Sequence, residues 1–131
     1  MAADDLPDID PEALARAEAA LARLSSSYLS WAEADIRALT DCFARVEADR
    51  GTAPLAELFA IAHDMKGQAG TFGYPLVTRI GQALCRLIEQ DPTATLRIGA
   101  HVAALTRVVD ERLEGEGGET GRSLLMALGI E

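Results

Sequence analysis

Apolar residues recur along this chain at spacings of three and four over almost its whole length, which is the helical period. Asp10-Pro11-Glu12 reads as a helix start, with Asp at the N-cap and Pro in the first turn. Leu14, Ala17, Leu21, Leu24 and Tyr28 continue it as a first amphipathic stripe, and Ser25-Ser26-Ser27 marks its expected end. A second stripe, Leu29, Ala32, Ile36, Leu39, Phe43 and Val46, predicts a helix over about 28–49, with Glu33, Asp35, Arg37, Asp41, Arg45 and Glu47 outside. It is offset by one position from the first, which favours a break, one long kinked helix being the alternative. Asp49-Arg50-Gly51-Thr52 reads as a turn. A third helix is expected over 53–72, ending at Gly73. A fourth, opened by Pro75, spans 75–90 with Leu76, Ile80, Leu84 and Leu87 inward. Asp91-Pro92 predicts the start of a fifth, whose inner side is Ile98, Val102, Leu105, Val109 and Leu113. Gly99 is a weak point in it that the pattern does not explain.

The predicted fold is therefore all-α: an antiparallel, up-down-up-down four-helix bundle, with an extra N-terminal helix and a short C-terminal segment. By domain, residues 1–9 are an acidic leader expected to be disordered, 10–113 the bundle, 114–121 an acidic, glycine-rich linker, and 122–131 a C-terminal segment. That segment is expected to dock on its own bundle by default, dimer capping or a recognition role being the alternatives. The glycine-rich linker follows no strand, lacks a phosphate-binding lysine and carries carboxylates, so it is no P-loop. The initial Met suggests an independent chain.

Within the third helix one side breaks the ordinary pattern. Leu55, Leu58, Ala62, Met65, Ala69 and Phe72 form its core stripe, while His63 lies roughly 130° from the centre of that stripe on ideal geometry. His63 is thus directed outward into a clearing of small residues, Ala56, Ala60, Gly67 and Gly70. A glycine inside a helix costs about 0.5–1 kcal/mol relative to alanine. That cost is understandable where something must approach the backbone closely. Lys66, one turn from His63, is the single lysine among 12 basic residues. Its compact ammonium suits a dianionic phosphoryl group. Phe59 flanks the clearing.

The run His63-Asp64-Met65-Lys66-Gly67-Gln68-Ala69-Gly70-Thr71-Phe72-Gly73 resembles the signature of histidine phosphotransfer (HPt) domains of two-component phosphorelays. That signature has Lys-Gly three and four positions after the His, a small residue at six, an apolar one at nine and Gly at ten. The helical layout extends the resemblance over residues 28–113. On the fourth helix Gly81 and Leu84 match the family's pattern, but Cys85 stands where a Glu is expected. The resemblance implies a phosphorelay intermediate that accepts a phosphoryl group on His63 from the aspartyl phosphate of a receiver domain and passes it to another receiver. The expected partners are response-regulator receiver domains and a hybrid histidine kinase. It implies a stoichiometric carrier without ATP-dependent kinase activity, no cofactor of its own, and Mg²⁺ on the partner receiver. Folding the fourth helix back on the third puts Gln82 and Arg86 near the level of His63, as candidate contacts to the phosphoryl group or a docked partner. The competing reading is a non-phosphorylated, HPt-like adaptor that binds receivers or a kinase.

Composition narrows the field. The chain has 131 residues, 49% of them apolar and 5% aromatic, with a formal net charge of −9. That acidity argues against nucleic acid and against anionic membrane surfaces. Residues 1–12 do not read as a signal peptide and no apolar stretch approaches transmembrane length, so a cytoplasmic monomer is expected. Cys42 and Cys85 are widely spaced and read as reduced helix residues. With only His63 and His101 available, no metal site is expected.

Overall fold

The computed structural model describes residues 10–49 and 52–131. The expected leader over 1–9 and the Arg50-Gly51 part of the expected turn lie outside the described residues. Those described form five α-helices and no strand: α1 (Pro11–Ala48), α2 (Thr52–Ala69), α3 (Pro75–Gln90), α4 (Thr95–Asp110) and α5 (Gly118–Leu128). A 3₁₀ turn, Gly70–Phe72, prolongs α2.

Each stripe read from the sequence between residues 28 and 109 finds a neighbour. Ile36, Leu39 and Val46 of α1, Leu58, Ala62 and Met65 of α2, Leu76, Ile80 and Leu84 of α3, and Ile98, Leu105 and Val109 of α4 are all buried in one core. The helices close a ring, α1 on α2, α2 on α3, α3 on α4 and α4 on α1, with α5 against α4. Leu39, Leu58, Leu84 and Leu105 are fully sealed from solvent. Burial of such a side chain stabilises by about 1.5–3 kcal/mol. Gly99 finds its reason here. A Cβ at Gly99 would stand 2.8 Å from the Phe43 Cζ, so the glycine leaves room for the tip of that α1 ring against α4.

The expected break at Ser25–Ser27 is absent: α1 runs unbroken for 38 residues. Serine in a helix interior costs only about 0.5 kcal/mol, and packing overrides it. The packing begins at Tyr28, whose ring stacks on Phe72 at 5.0 Å and tilts against Tyr74 at 5.4 Å. Burial, with Tyr74 and Asp35 nearby, pushes the Tyr28 phenol pKa up to about 12. The offset between stripes therefore marks a change of neighbour rather than a change of helix. Before Tyr28 the stripe is unpacked, with Leu14, Leu21 and Leu24 exposed, so the extra N-terminal helix is an extension of α1.

Two further corrections concern turns. Asp91 does not cap α4. Its N–H still donates to the Leu87 carbonyl, ending α3, and its carboxylate accepts from the Thr93 N–H and hydroxyl in a local turn. Helix α4 begins at Thr95 instead. The stretch 114–121, expected as a linker, is a tight corner whose last residues already belong to α5. The Gly115 N–H donates to the Gly73 carbonyl at 2.9 Å, and a Cβ at Gly121 would collide with the Glu116 carbonyl. Composition suggested flexibility, but these glycines serve close contact. Leu125 is buried, so residues 122–131 lie on the bundle.

Candidate functional site

The α2–α3 corner fixes the site. Gly73 takes φ +89°, a conformation that favours glycine, and the Tyr74 N–H reaches back to the Ala69 carbonyl at 3.0 Å. Pro75 then starts α3, which returns along α2. Helix α2 buries Leu58, Ala62, Met65 and Ala69, so its opposite side must face solvent. There stand His63, Ala56, Ala60, Gly67 and Gly70, all exposed. The half-buried Phe59 ring lies one turn before His63, stacked with the imidazole at 6.0 Å between centroids.

The two glycines are not required by contacts within the chain. A Cβ at Gly67 would meet nothing within 4 Å, and one at Gly70 would touch the Thr78 Oγ1 at an ordinary 3.5 Å. Alanine would be accommodated at either position and would favour the helix. The result is a shallow, side-chain-free patch beside an exposed imidazole.

Lys66 is placed by α3. A Cβ at Gly81 would lie 3.0 Å from the Lys66 Cβ and 3.4 Å from the Ala62 carbonyl oxygen, so Gly81 permits the close approach of the two helices. The Thr78 hydroxyl donates to the Lys66 carbonyl at 3.0 Å. Burial pushes the Cys85 thiol pKa up, while the Lys66 ammonium pulls it down, which puts the ammonium within electrostatic reach of that seam. Thr78 was not singled out from the sequence, and Gly81 entered only as a match to a family pattern. Their signal was present: Thr78, Gly81 and Cys85 form a small, weakly polar stripe at helical spacing.

On the other flank, Asp64 is exposed on the side towards α1. It is close enough to Asp35 to add to the effect of burial in raising that carboxyl's pKa. Trp31, Ala34, Asp35, Gln68 and Phe72 line a hollow there. Trp31, the chain's one tryptophan, is 50% exposed. Sequence reasoning missed it, although a large aromatic just outside the α1 core stripe is a readable sign of a contact surface.

Gln82 and Arg86 are exposed on α3 but line a groove with Arg97, His101 and the Leu128–Glu131 end. The side of α3 turned to α2 is set by Thr78, Gly81 and Cys85. At about 100° per residue, Gln82 lies about 65° from that direction and Arg86 about 105°. Among the described residues no cluster of three His, Cys, Asp or Glu side chains could hold a metal ion, and no helix is long and apolar enough to cross a membrane.

Chemically the site offers an exposed imidazole on a rigid helix, a cation one turn further on, and open backbone at Gly67 beside them. A family model described as Hpt domain matches residues 11–114. Searches of curated proteins and of solved structures return no match.

Proposed function

The chain belongs to the HPt domain family, and we propose on that footing that it is a phosphorelay intermediate carrying its phosphoryl group on His63. Domains of this family are phosphocarrier modules of two-component systems, not kinases. The observation that carries the residue assignment is the exposed His63 beside Gly67, where a Cβ would meet no neighbouring group of the described residues within 4 Å.

In the proposed reaction a neutral His63 ring nitrogen attacks the phosphorus of a receiver's aspartyl phosphate. The P–N bond forms as the P–O bond to the carboxyl breaks, and the receiver keeps the freed carboxylate. Transfer onward reverses the step with a second receiver. The transition state is loose, so the work is alignment and charge neutralisation. Helix α2 supplies alignment, Lys66 supplies positive charge, and the patch of Ala56, Ala60, Gly67 and Gly70, with Phe59 on its edge, admits the partner. Mg²⁺ and the remaining catalytic groups belong to the receiver in this reading. We read the helical ring as an up-down-up-down bundle and the protein as a cytoplasmic monomer without kinase activity of its own.

The experiment is transfer from a radiolabelled, phosphorylated receiver with Mg²⁺. Label that moves to this chain, stable to alkali and labile to acid, supports phosphohistidine. Binding to receivers without transfer, across a broad panel, would favour the adaptor reading. Lys66→Ala should slow transfer about tenfold, the scale of one charge-assisted contact, and Lys66→Arg should restore part of it. An unchanged rate in Lys66→Ala removes Lys66 from the site. Of the two side chains proposed on α3, Gln82 is turned nearer to α2 and is the better placed to meet a docked receiver. Gln82→Ala should raise the receiver concentration needed for half-maximal transfer about threefold, as loss of a neutral hydrogen bond does. No change in that concentration rejects the contact.

A further inference from the structure

Away from α2, a groove of about 540 Å³ runs between α3, α4 and the Leu128–Glu131 end. Arg79 and Arg86 face it from α3 and Arg97 from α4. The three guanidinium groups share the groove with the carboxylates of Asp91 and Glu131, in a chain whose formal net charge is −9. The Arg79 guanidinium is engaged, donating to the main-chain oxygen of Glu131. The side chains of Arg86 and Arg97 have no ion-pair or hydrogen-bond partner among the described residues. Asp91 stands at the edge, its carboxylate already accepting from Thr93. Guanidinium groups remain charged and present paired N–H donors that match a phosphoryl group.

The groove's wall contains a second unmatched group. His101 is 4% exposed, and its Nδ1 lies 2.7 Å from the Arg97 carbonyl oxygen. A carbonyl only accepts, so Nδ1 carries the proton. Burial holds the imidazole pKa below its ordinary value; the bond to the Arg97 carbonyl opposes this and the Arg97 charge adds to it. The ring is then neutral at neutral pH, and Nε2 is an acceptor without a partner among the described residues. Leu87, Leu128 and Ile130 give the groove apolar walls. Its volume falls in the range of small-molecule sites and exceeds what an inorganic ion fills.

We propose that this groove binds a small hydroxyl-bearing organic phosphate, of the sugar-phosphate or nucleotide class. The phosphoryl group lies between Arg86 and Arg97, a hydroxyl donates to the His101 Nε2, and the organic part rests on Leu87 and Ile130. Gln90 adds an amide donor and acceptor at the rim. The site is separate from His63 and does not depend on phosphotransfer.

The test is an NMR titration of the full chain, following the Arg Nε–H signals and the amides of residues 128–131. The probes are adenosine monophosphate, ribose 5-phosphate and inorganic phosphate. The expected result is saturable shifts at Arg86, Arg97 and the C-terminal amides, half-complete at or below about 1 mM for at least one ester. Arg86→Ala and Arg97→Ala should each weaken that binding at least about fivefold, the scale of one charge-assisted hydrogen bond. Saturation by ribose 5-phosphate assigns the sugar-phosphate class, and saturation by adenosine monophosphate alone the nucleotide class. Both arginines are exposed, so the variants should fold, with circular dichroism as the check. The proposal is overturned if neither ester saturates, if both arginine variants bind as before, or if inorganic phosphate binds as tightly as the esters.

Discussion

His63→Gln should abolish acceptance of label from a phosphorylated receiver, to the background of the assay, while leaving the fold intact. The two halves of this expectation come from different observations. His63 is exposed, and its described ring contact is the stack with Phe59 at 6.0 Å. A surface substitution that loses one such contact changes stability by about 1 kcal/mol or less. Removing the proposed nucleophile leaves no other accessible imidazole to take its place, because His101 is buried in the wall of a groove on another side of α3. Glutamine keeps a polar side chain of similar reach, so receiver binding should survive. Transfer is measured with labelled receiver, binding by calorimetry, and stability by urea unfolding. Persistent acid-labile label in the variant would show that another residue carries the phosphoryl group. Loss of binding together with transfer would mean that the substitution damaged docking, and would leave the nucleophile unassigned.

The sequence made the site more legible than the turns, for a physical reason. His63, Lys66 and Gly67 lie within one helical turn and a half, where spacing alone decides which residues share a side. The buried stripe opposite, Leu58, Ala62, Met65 and Ala69, then forces His63 outward. Boundaries depend instead on what the folded chain offers locally. The three serines before Tyr28 look like a stop, but the rings of Phe72 and Tyr74, which hold Tyr28 in place, arrive from more than forty residues later. The acidic, glycine-rich stretch looks like a linker until Gly73 accepts from Gly115 across the corner. Gly99 had no meaning without the ring of Phe43 above it. The same limit explains Thr78 and Gly81. Their value lies in touching Lys66 from the next helix, and no single-helix pattern shows it. Arg86 shows a complementary limit: hairpin geometry sets its level along α2, but only the phase given by Thr78, Gly81 and Cys85 shows that it turns towards the groove shared with α4.

Gly67 separates stability from function most sharply, since substitution there should move the two in opposite directions. A Cβ at Gly67 meets no atom within 4 Å, so alanine brings no clash and removes backbone freedom from the unfolded chain. Gly67→Ala should therefore stabilise by about 0.5–1 kcal/mol, read as a higher urea midpoint at unchanged slope. Gly67→Phe should fold at least as well as the parent in its bundle core, because the ring extends into solvent. In transfer it should fail. A phenylalanine one turn from His63 stands in the proposed path of the receiver, and a clash of about 3 kcal/mol at a docking surface lowers transfer about 100-fold. A small donor such as phosphoramidate needs no docking surface and should phosphorylate His63 in this variant almost as well as in the parent. That contrast isolates close approach by a macromolecule as the reason for glycine. Equal loss with the small donor would instead mean that Gly67 shapes the imidazole's immediate surroundings, and normal transfer from receivers in Gly67→Phe would move the docking surface elsewhere, the Trp31 and Asp35 flank of α1 being the next place to look.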